Sequence, residues 1–288
     1  MLGSKIEITL PACHSFLFPA CFDELARIEQ AYSRFITTSE LSALNSNLGK
    51  WQDASEEMVF LLRQGELFRE QTEGNFDLTI KSALDKLGYD KDYSFRLKNG
   101  RGNATQNAPG GNILIDEKNL KVLMHRQIDF GGFGKGYAAD RAAQLLDLHG
   151  AQHYCINAGG DIFARRGRGA EPWEILLEHP DDPSRAIGKI AIDGEAVAGS
   201  APNRRKWGGK GQHHHLINPK TRKPAMESKA IFALAKTGVE ADAYATAIFC
   251  AGFEQGILLS QKLPVQVLSV SPKGKMHQSA GFKAEIFD

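Results

Sequence analysis

The first third of the chain has apolar residues at every third or fourth position, a spacing typical of helices that bury one face. The first such face consists of Phe22, Leu25, Ile28, Tyr32 and Phe35. Ser39 and Ser55 each precede a further apolar segment, and a serine in that place predicts a helix N-cap. Residues 134–149 and Val239–Ala251 have the same helical spacing. The pattern therefore predicts five helices.

Strand patterns are concentrated at the start, in the middle and at the end of the chain. Ile6, Ile8 and Leu10 alternate with polar residues, as in a half-buried strand. Two short apolar runs flank a polar turn and predict a hairpin; they are Ile113–Ile115 and Leu120–Met124. Further strands are predicted at Tyr154–Asn157, Glu174–Leu177, Ile187–Ile192, Ala196–Ala198, Val265–Val270 and Lys283–Phe287. The polar residues 97–111 and the basic residues 199–213 are both Gly-rich and are predicted to be loops.

The order of these elements limits the fold class. Helices and strands are interleaved, but the hairpin and the clustered short strands do not suit a purely parallel sheet. We therefore predict an α+β fold with mixed or antiparallel sheets flanked by helices. No fixed-period repeat is visible and no long linker divides the chain, so we predict a single domain over residues 1–288.

Composition and charge exclude several classes of protein. The 288 residues are 42% hydrophobic, which is enough for a sizeable core and too apolar for general disorder. A formal net charge of +1 argues against a general nucleic-acid or membrane-surface binder, and no apolar run has the length of a spanning helix. The four cysteines (Cys13, Cys21, Cys155, Cys250) form no C-x-x-C motif, which favours reduced core cysteines. The start has no signal-peptide pattern, so we expect a cytoplasmic protein, and a periplasmic one only if the native N-terminus is missing.

The segment Ile128–Ala142 carries the most unusual pattern. Its letters are IDFGGFGKGYAADRA, a strand that runs through four glycines directly into a helix. Glycines allow the backbone to approach a ligand closely, and a helix N-terminus beside Lys135 favours a phosphate or pyrophosphate. The alternative is a tight strand-to-helix turn with close packing and a solvated lysine. P-loop, G-x-G-x-x-G, H-E-x-x-H and G-x-S-x-G motifs are absent from the sequence, so the usual nucleotide, zinc-protease and hydrolase schemes are excluded.

Two further segments place polar groups beside glycines. Asn157, Gly159, Gly160 and Asp161 follow a predicted strand, where amide and carboxylate groups can bind a polar ring or a metal; the alternative is an ordinary Asn-Gly turn. The second segment, GNFDLTI at residues 74–80, offers one aromatic ring and two polar side chains to a planar ligand. Those side chains are Phe76, Asp77 and Thr79. The alternative is a helix stop with a capping Asp.

Two segments near the C-terminal end carry candidate catalytic chemistry. Three adjacent histidines open HHHLINPKTRKPA, and on a strand His213 and His215 share one face. A histidine near an anionic ligand can be a base or a hydrogen-bond donor; the alternative is an edge strand entering a turn. In EADAYATA, Asp242 and Thr246 lie on one helix face and offer hard oxygen ligands of the kind that Mg²⁺ prefers. The alternative is that Asp242 caps the helix and Thr246 packs on small residues.

Taken in order, these segments resemble the ApbE family, the FAD:protein FMN transferases. The matching segments are MLGSKIEITL, YSRFITTSELSALN, GNFDLTI, IDFGGFGKGYAADRA, INAGGDI, AVAGSAPNRRKW, HHLINPKTRKPA and ADAYATA. They run nearly the whole length of the chain. The resemblance implies an α+β fold of two related halves with FAD held between them. It also implies an enzyme that moves the FMN phosphoryl group of FAD onto a threonine hydroxyl of an acceptor flavoprotein and releases AMP.

The resemblance also implies roles for individual residues. Mg²⁺ is expected at Asp242, Thr246 and the backbone carbonyl of Gly134. The catalytic residues are expected to be His215, near the reacting phosphate, with Asp161 and Lys135. The cofactor-binding residues are expected to be Asn45, Phe76, Asp77, Thr79, Gly132, Tyr137, Asn157, Gly159, Gly160 and Ser200.

Three departures from the family pattern bear on the substrate loops. Gly199 stands where the family has a threonine, which removes one expected hydroxyl contact. Asn218 replaces a carboxylate with an amide, and Arg222 replaces the glycine of P-x-T-G, so we expect a reshaped turn there. The metal elements are intact. Two alternatives to the transferase stay open: a protein that binds FAD as a store or sensor, and an FAD pyrophosphatase that gives FMN and AMP. Neither nucleic-acid binding nor membrane insertion is expected.

Overall fold

The structure, a computed structural model, describes residues 3–90, 94–97, 113–203, 205–208 and 213–287. Its residues group into two compact units. The first unit comprises Met1–Glu29, Gly131–Arg205 and Ala225–Asp288, and the second comprises Gln30–Phe130 and Lys206–Pro224. The predicted loop at 97–111 lies outside the described residues except for Leu97. A single domain over residues 1–288 stays a prediction.

The described residues contain seven α-helices and two short 3₁₀ helices. The α-helices are α1 (Phe18–Tyr32), α2 (Glu40–Ser46), α3 (Glu56–Gln71), α4 (Lys81–Lys86), α5 (Gly134–Leu148), α6 (Gly238–Ala251) and α7 (Phe253–Ser260), and the 3₁₀ helices are Ala12–Leu17 and Leu78–Ile80. Ser39 and Ser55 are the N-caps predicted for α2 and α3, because their side chains accept from backbone amides three residues later. None of the described helices is both long enough and apolar enough to cross a membrane.

The predicted face of α1 needs one correction. Leu25, Ile28 and Tyr32 are buried as expected, but Phe22 is 37% exposed and Cys21 takes its place in the core. Phe35 lies beyond the end of the helix. Cys21, Leu25 and Ile28 follow one another at spacings of four and three, so the buried stripe is shifted by one residue at its start.

Seventeen strands lie in the described part of the chain. They are β1 (Ile6–Thr9), β2 (Trp51–Asp53), β3 (Ile113–Asp116), β4 (Lys121–Met124), β5 (Tyr154–Ala158), β6 (Ile162–Arg165), β7 (Trp173–Glu178), β8 (Ala186–Ile192), β9 (Glu195–Ser200), β10 (Lys206–Trp207), β11 (His213–His214), β12 (Ile217–Asn218), β13 (Lys223–Pro224), β14 (Ala230–Ala235), β15 (Gln266–Val270), β16 (Met276–Gln278) and β17 (Ala284–Ile286). The predicted hairpin at β3 and β4 is confirmed. The predicted loop at 199–213 is wrong in part, because β9 extends to Ser200 and β10 pairs with β11.

The first unit is built on a seven-stranded antiparallel sheet in the order β1-β5-β6-β9-β14-β15-β16. Every residue of β14 is buried. Because side chains alternate along a strand, Ala230, Phe232 and Leu234 share one face, and they pack into a core with the three-stranded sheet β17-β8-β7. The opposite face of β14 and β9 is covered by α6, and α5 packs on α6 and on β5. Helix α6 is buried along nearly its whole length.

The second unit holds smaller sheets, an apolar cluster and a buried arginine. Strands β2, β4 and β3 form an antiparallel sheet in that order, while β10-β11 and β12-β13 are two-stranded ladders. Tyr89 and Trp207 stack with ring centroids 5.7 Å apart in a small apolar cluster. Arg34 is buried and forms ion pairs of 3.0 Å with both Asp85 and Asp129. The charge of that arginine is therefore balanced inside this unit.

Candidate active site

The Gly-rich segment forms the turn that leads into α5. Lys135 and Gly136 occupy the first turn of that helix, as the motif predicted. The predicted strand before the glycines is wrong: residues 127–130 form no strand, and the backbone of Ile128 bonds to the side chain of Asn45 instead of to a neighbouring strand. A Cβ built on Gly136 would lie 2.0 Å from the carbonyl oxygen of Gly238, and one on Gly238 would lie 2.5 Å from the carbonyl oxygen of Gly136. The first turns of α5 and α6 are thus in direct backbone contact. Both glycines are required here by packing, whatever they also do for a ligand.

Asp242 points from α6 to the start of α5. Its Oδ2 accepts hydrogen bonds of 3.2 Å from the backbone N–H of Gly136 and from Nζ of Lys135. The N-cap of α6 is Thr237, whose side chain accepts from the N–H of Glu240. The alternative interpretation, that Asp242 caps its own helix, is therefore wrong. Its carboxylate is instead buried against the positive end of another helix, α5.

Asp161 reaches the same lysine from the hairpin between β5 and β6. Gly159 and Gly160 have φ values of +73° and +106°, which favour glycine and make a tight two-residue turn. The side-chain oxygen of Asn157 accepts from the N–H of Gly160 at 2.8 Å, so the predicted Asn-Gly turn is present. The turn directs the Asp161 carboxylate into the interior, where it pairs with Lys135 and accepts from the N–H of Gly199.

Two buried carboxylates, Asp161 and Asp242, and the partly buried Lys135 form one group, here called the lysine–carboxylate cluster. Burial raises the pKa of Asp161, the Asp242 carboxylate raises it further, and Lys135 opposes both effects. Burial by itself lowers the pKa of Lys135, but the attraction of the two carboxylates outweighs it and raises that pKa. The lysine therefore stays a cation at neutral pH. Two carboxylates against one ammonium leave room for a second positive charge.

The donors beside this cluster suit a hard cation. Thr246 lies one turn after Asp242, and its hydroxyl donates to the carbonyl of Gly132 at 3.3 Å and lies 3.5 Å from Oγ of Ser200. Carboxylate, hydroxyl and backbone carbonyl oxygens are the ligands that Mg²⁺ prefers, so the residues present fit this ion. Gly134, whose carbonyl was the expected ligand, is the first residue of α5. The described residues include no group of three or more His, Cys, Asp or Glu side chains placed to hold a metal.

Tyr137 and the hairpin glycines complete the predicted set in the first unit. Tyr137 is buried on α5, and its backbone N–H donates to the carbonyl of Phe133. A Cβ on Gly159 would lie 2.5 Å from the side chain of Ser4, whereas nothing lies within 4 Å of a Cβ on Gly160. Gly159 is thus held by packing and by its φ, and Gly160 by its φ alone. Their roles toward a cofactor stay predictions.

The predicted polar residues of the second unit bond mainly to backbone groups of other residues in the same unit. Asn45 donates to the carbonyl of Ile128 at 2.9 Å and accepts from its N–H at 2.8 Å. Phe76 is a core residue that packs edge-on against Phe68. The Asp77 carboxylate accepts from the N–H of Thr79 at 2.7 Å and so caps the short helix that follows. The capping alternative for Asp77 is therefore confirmed as a structural fact, and a role toward FAD stays a prediction.

His215 lies just past the end of β11. The prediction that His213 and His215 share one face of a strand is wrong, because β11 ends at His214. The ring of His215 lies 6.2 Å from that of Tyr89, and the ring of His213 lies 6.5 Å from that of Trp207. Each histidine therefore has its own aromatic neighbour. The assignment of His215 as a base stays a prediction.

The sequence reasoning missed Asp140 altogether, and it named Arg222 only as a departure from the family pattern, without the contacts that this residue makes. Asp140 accepts from the N–H groups of Gly238 and Val239. It is the aspartate that ends the G-K-G-Y-A-A-D segment, so the signal was present in the motif. Arg222 has a φ of +58°, in the left-handed region, and donates to both the carbonyl and the hydroxyl of Thr79. Arginine thus keeps the conformation that favours glycine, at the cost of backbone strain.

Comparisons with known proteins agree on one family. The ApbE family profile matches residues 2–269 of the chain. The chain is 25% identical over 271 residues to the FAD:protein FMN transferase of Vibrio cholerae, covering 90% of this chain and 81% of that protein. It is 24% identical over 282 residues to the protein of the same name from Escherichia coli K12, covering 89% and 78%.

Solved structures show the same fold. The ApbE protein of Thermotoga maritima matches with a TM-score of 0.88 at 27% identity, covering 98% of this chain and 95% of that chain. The apo form of the flavinyl transferase ApbE from Pseudomonas stutzeri matches with a TM-score of 0.84 at 22% identity, covering 98% and 93%. The predicted α+β fold with antiparallel sheets is confirmed by these matches, and the predicted transferase class is confirmed by the names of the relatives.

Proposed function

This chain belongs to the ApbE family, and we propose that it is a flavin transferase that moves the FMN part of FAD to a protein acceptor. The relatives are named for that activity. The observation that carries the proposal is the lysine–carboxylate cluster at the start of α5. A partly buried lysine beside a helix N-terminus attracts phosphate, and the buried carboxylates beside it attract a cation. Phosphoryl transfer needs both.

In the finer proposal, the acceptor is a threonine and the leaving group is AMP. The threonine Oγ forms a bond to the FMN phosphorus, and the bond from that phosphorus to the bridging pyrophosphate oxygen breaks. AMP leaves with the electron pair of that bond, and the hydroxyl proton passes to a base. His215 is the base that the resemblance implies, and a neutral imidazole is suited to accept that proton.

Mg²⁺ is the proposed cofactor, with Asp242, Thr246 and the Gly134 carbonyl as its ligands. When bound, it would neutralise charge that develops on the phosphate oxygens. Lys135 contacts Asp161 as well as Asp242, so its ammonium would keep one carboxylate partner if Asp242 bound a cation. Burial of both carboxylates excludes water and strengthens their attraction for positive charge.

The two alternatives differ from transfer only in what becomes of the FMN. A pyrophosphatase passes it to water, and a storage protein leaves FAD intact. Two buried carboxylates repel an anionic dinucleotide unless a metal ion lies between them, so they contribute nothing to simple storage of FAD. Their presence therefore favours catalysis over storage. The acceptor stays to be identified, and a cytoplasmic location stays a prediction.

The test is incubation of the purified protein with FAD, Mg²⁺ and a panel of flavoprotein domains, read by intact mass and by chromatography of nucleotides. We expect one domain to gain the mass of FMN less water, with AMP released in equal amount. The matched control is that domain with its modified threonine changed to valine. Free FMN with AMP and no mass gain would show a pyrophosphatase, and intact FAD throughout would contradict catalysis.

A further inference from the structure

Asp140 caps a helix other than its own. It lies on α5, five residues after Lys135, yet its Oδ1 accepts from the N–H of Gly238 at 2.6 Å and its Oδ2 from the N–H of Val239 at 2.9 Å. These amides open α6, where backbone N–H groups have no partner within the helix. Both oxygens of the carboxylate are therefore used to join α5 to α6.

The same relation runs in the opposite direction. Asp242 lies on α6, and its Oδ2 accepts from the N–H of Gly136 in the first turn of α5. Each helix thus supplies a carboxylate to the N-terminus of the other. We call the two aspartates and the three amides that they bind the reciprocal clamp.

Packing makes the reciprocal clamp rigid. Gly136 and Gly238 are in backbone contact at its centre, where even one added carbon would lie 2.0 Å or 2.5 Å from a carbonyl oxygen. Interiors at this density are not continuously deformable, so the two helices have one close arrangement. The position of Asp242 relative to Lys135 depends on that arrangement.

We propose that Asp140 is a positioning residue for flavin transfer: by binding the first amides of α6 from α5, it fixes Asp242 against Lys135 and the Gly136 amide. The proposal rests on the proposed function, because it gives Asp242 a role in catalysis. Thr237 caps the same helix end from just before it in the sequence, and its hydroxyl accepts from the N–H of Glu240 at 3.3 Å. The amides of Gly238 and Val239 are bound instead by a carboxylate from α5, so this part of the cap also ties the two helices together.

The experiment compares Asp140→Asn with Thr237→Ala, since both remove a cap from the same helix end and only the first comes from α5. An asparagine has one acceptor oxygen, and its NH₂ faces an N–H donor, so it cannot bind both amides. For each variant, amide hydrogen exchange is measured by NMR at Gly136, Gly238 and Val239. The rate of flavin transfer to the acceptor domain is measured against FAD concentration.

For Asp140→Asn we expect faster exchange at all three amides, including that of Gly136, whose N–H is bound by Asp242 and not by the Asp140 carboxylate. We also expect kcat to fall about 10–100-fold, the usual cost of losing a residue that orients a site, with KM for FAD little changed. For Thr237→Ala we expect exchange at Gly136 and kcat close to wild type. If exchange at Gly136 is unchanged in Asp140→Asn, or if both variants lose transfer equally, Asp140 is only a cap and the proposal is overturned.

Two provisions keep the result decisive. If Asp140→Asn does not fold, Asp140→Glu moves the same carboxylate by one methylene and is judged by the same comparison. Exchange at Gly136 does not depend on activity. If the wild type transfers no flavin, the proposed function fails by the kinetic measurement, while the exchange rates still decide whether Asp140 holds Asp242 in place.

Discussion

The lysine–carboxylate cluster of the first unit and the predicted flavin residues of the second unit use their polar side chains in opposite ways. In the first unit, Lys135, Asp161 and Asp242 are brought from three separate segments and bond chiefly to one another. In the second unit, Asn45 bonds to the backbone of a loop residue, Ile128, and Asp77 bonds to a backbone amide of a short 3₁₀ helix. The first set holds charges that are only partly balanced, and the second holds its loops in shape.

The difference shows which polar residues a motif can assign to a ligand. A buried carboxylate that faces another carboxylate raises the energy of the protein unless a cation is near, so its presence calls for a functional reason. A buried amide that satisfies a backbone N–H and C=O stabilises the fold and needs no ligand to explain it. On this ground the first set is the stronger candidate for chemistry, and the following predictions test the contrast.

The largest effect is expected for Asp242→Ala. Loss of a charged ligand from a hard-cation site should abolish Mg²⁺-dependent flavin transfer, well beyond the usual cost of an outer residue. Lys135 keeps its partner Asp161, but the buried N–H of Gly136 loses its acceptor, so the free energy of unfolding should fall by about 1–3 kcal/mol while the protein still folds. Glu240→Ala, two residues earlier on α6, is the matched control and should keep transfer. Near-normal transfer by Asp242→Ala at modest Mg²⁺ would contradict the metal assignment.

His215→Asn tests whether the second unit also takes part in chemistry. An amide cannot take a proton near neutral pH, so transfer should fall about 10²–10⁴-fold while FAD still binds. Wild-type transfer should rise with pH through the range in which an imidazole becomes neutral. His213→Asn, beside a different aromatic ring, should cost little. Equal losses in the two variants, measured as FMN attached to the acceptor threonine, would remove His215 as the base.

Asn45→Ala should act on stability first. Removal of its amide leaves both the N–H and the C=O of Ile128 buried without that partner, which should lower the free energy of unfolding by about 3 kcal/mol. Urea unfolding gives this value, and FAD titration of the folded variant should give an affinity close to wild type. Asn47→Ala, on the exposed end of the same helix, is the control. A loss of FAD affinity with unchanged stability would assign Asn45 to the ligand after all.

The pH dependence of the free energy of unfolding should reveal the raised pKa of Asp140. Burial raises the pKa of Asp140 to about 6, Glu240 and Asp242 add to the rise, and the amides of Gly238 and Val239 oppose it. The folded protein then binds this proton more tightly than the unfolded chain does. The free energy of unfolding of wild type, less that of Asp140→Asn, should therefore fall by roughly 2 kcal/mol as pH rises from 4 to 6, and then level off. A difference that rises over this range would show a lowered pKa.

The smallest effect is expected at Arg222, where the second unit stores strain. Its φ of +58° costs a residue with a Cβ about 1 kcal/mol relative to glycine. Arg222→Gly should therefore be more stable to urea than Arg222→Ala by about that amount, although both lose the bonds to Thr79. Equal stabilities would mean that the turn relaxes to another conformation when the arginine is removed.

The sequence by itself determined the local elements and the chemistry of the first unit. The capping of two helices by Ser39 and Ser55 could be predicted, because each cap is a hydrogen bond between residues only three positions apart in the sequence. The spacing of Asp242 and Thr246 fixed their common face. Strand β14 was missed because it is buried on both faces and its sequence shows no alternation. The prediction that a strand extends to His215 was wrong, because the end of a strand depends on where its pairing partner ends and not on residue type alone.

The tertiary structure alone decided what each polar group does with its bonds. Asp140 and Asp242 each bind an amide about a hundred positions away in the sequence, and Asn45 binds Ile128 across a separation of 83. No local pattern contains such a pairing, because a hydrogen bond depends on distance in space and on the burial that makes it worth keeping. The residue types indicated which chemistry was possible, and the packing of α5 on α6 determined that Asp242 contacts Lys135.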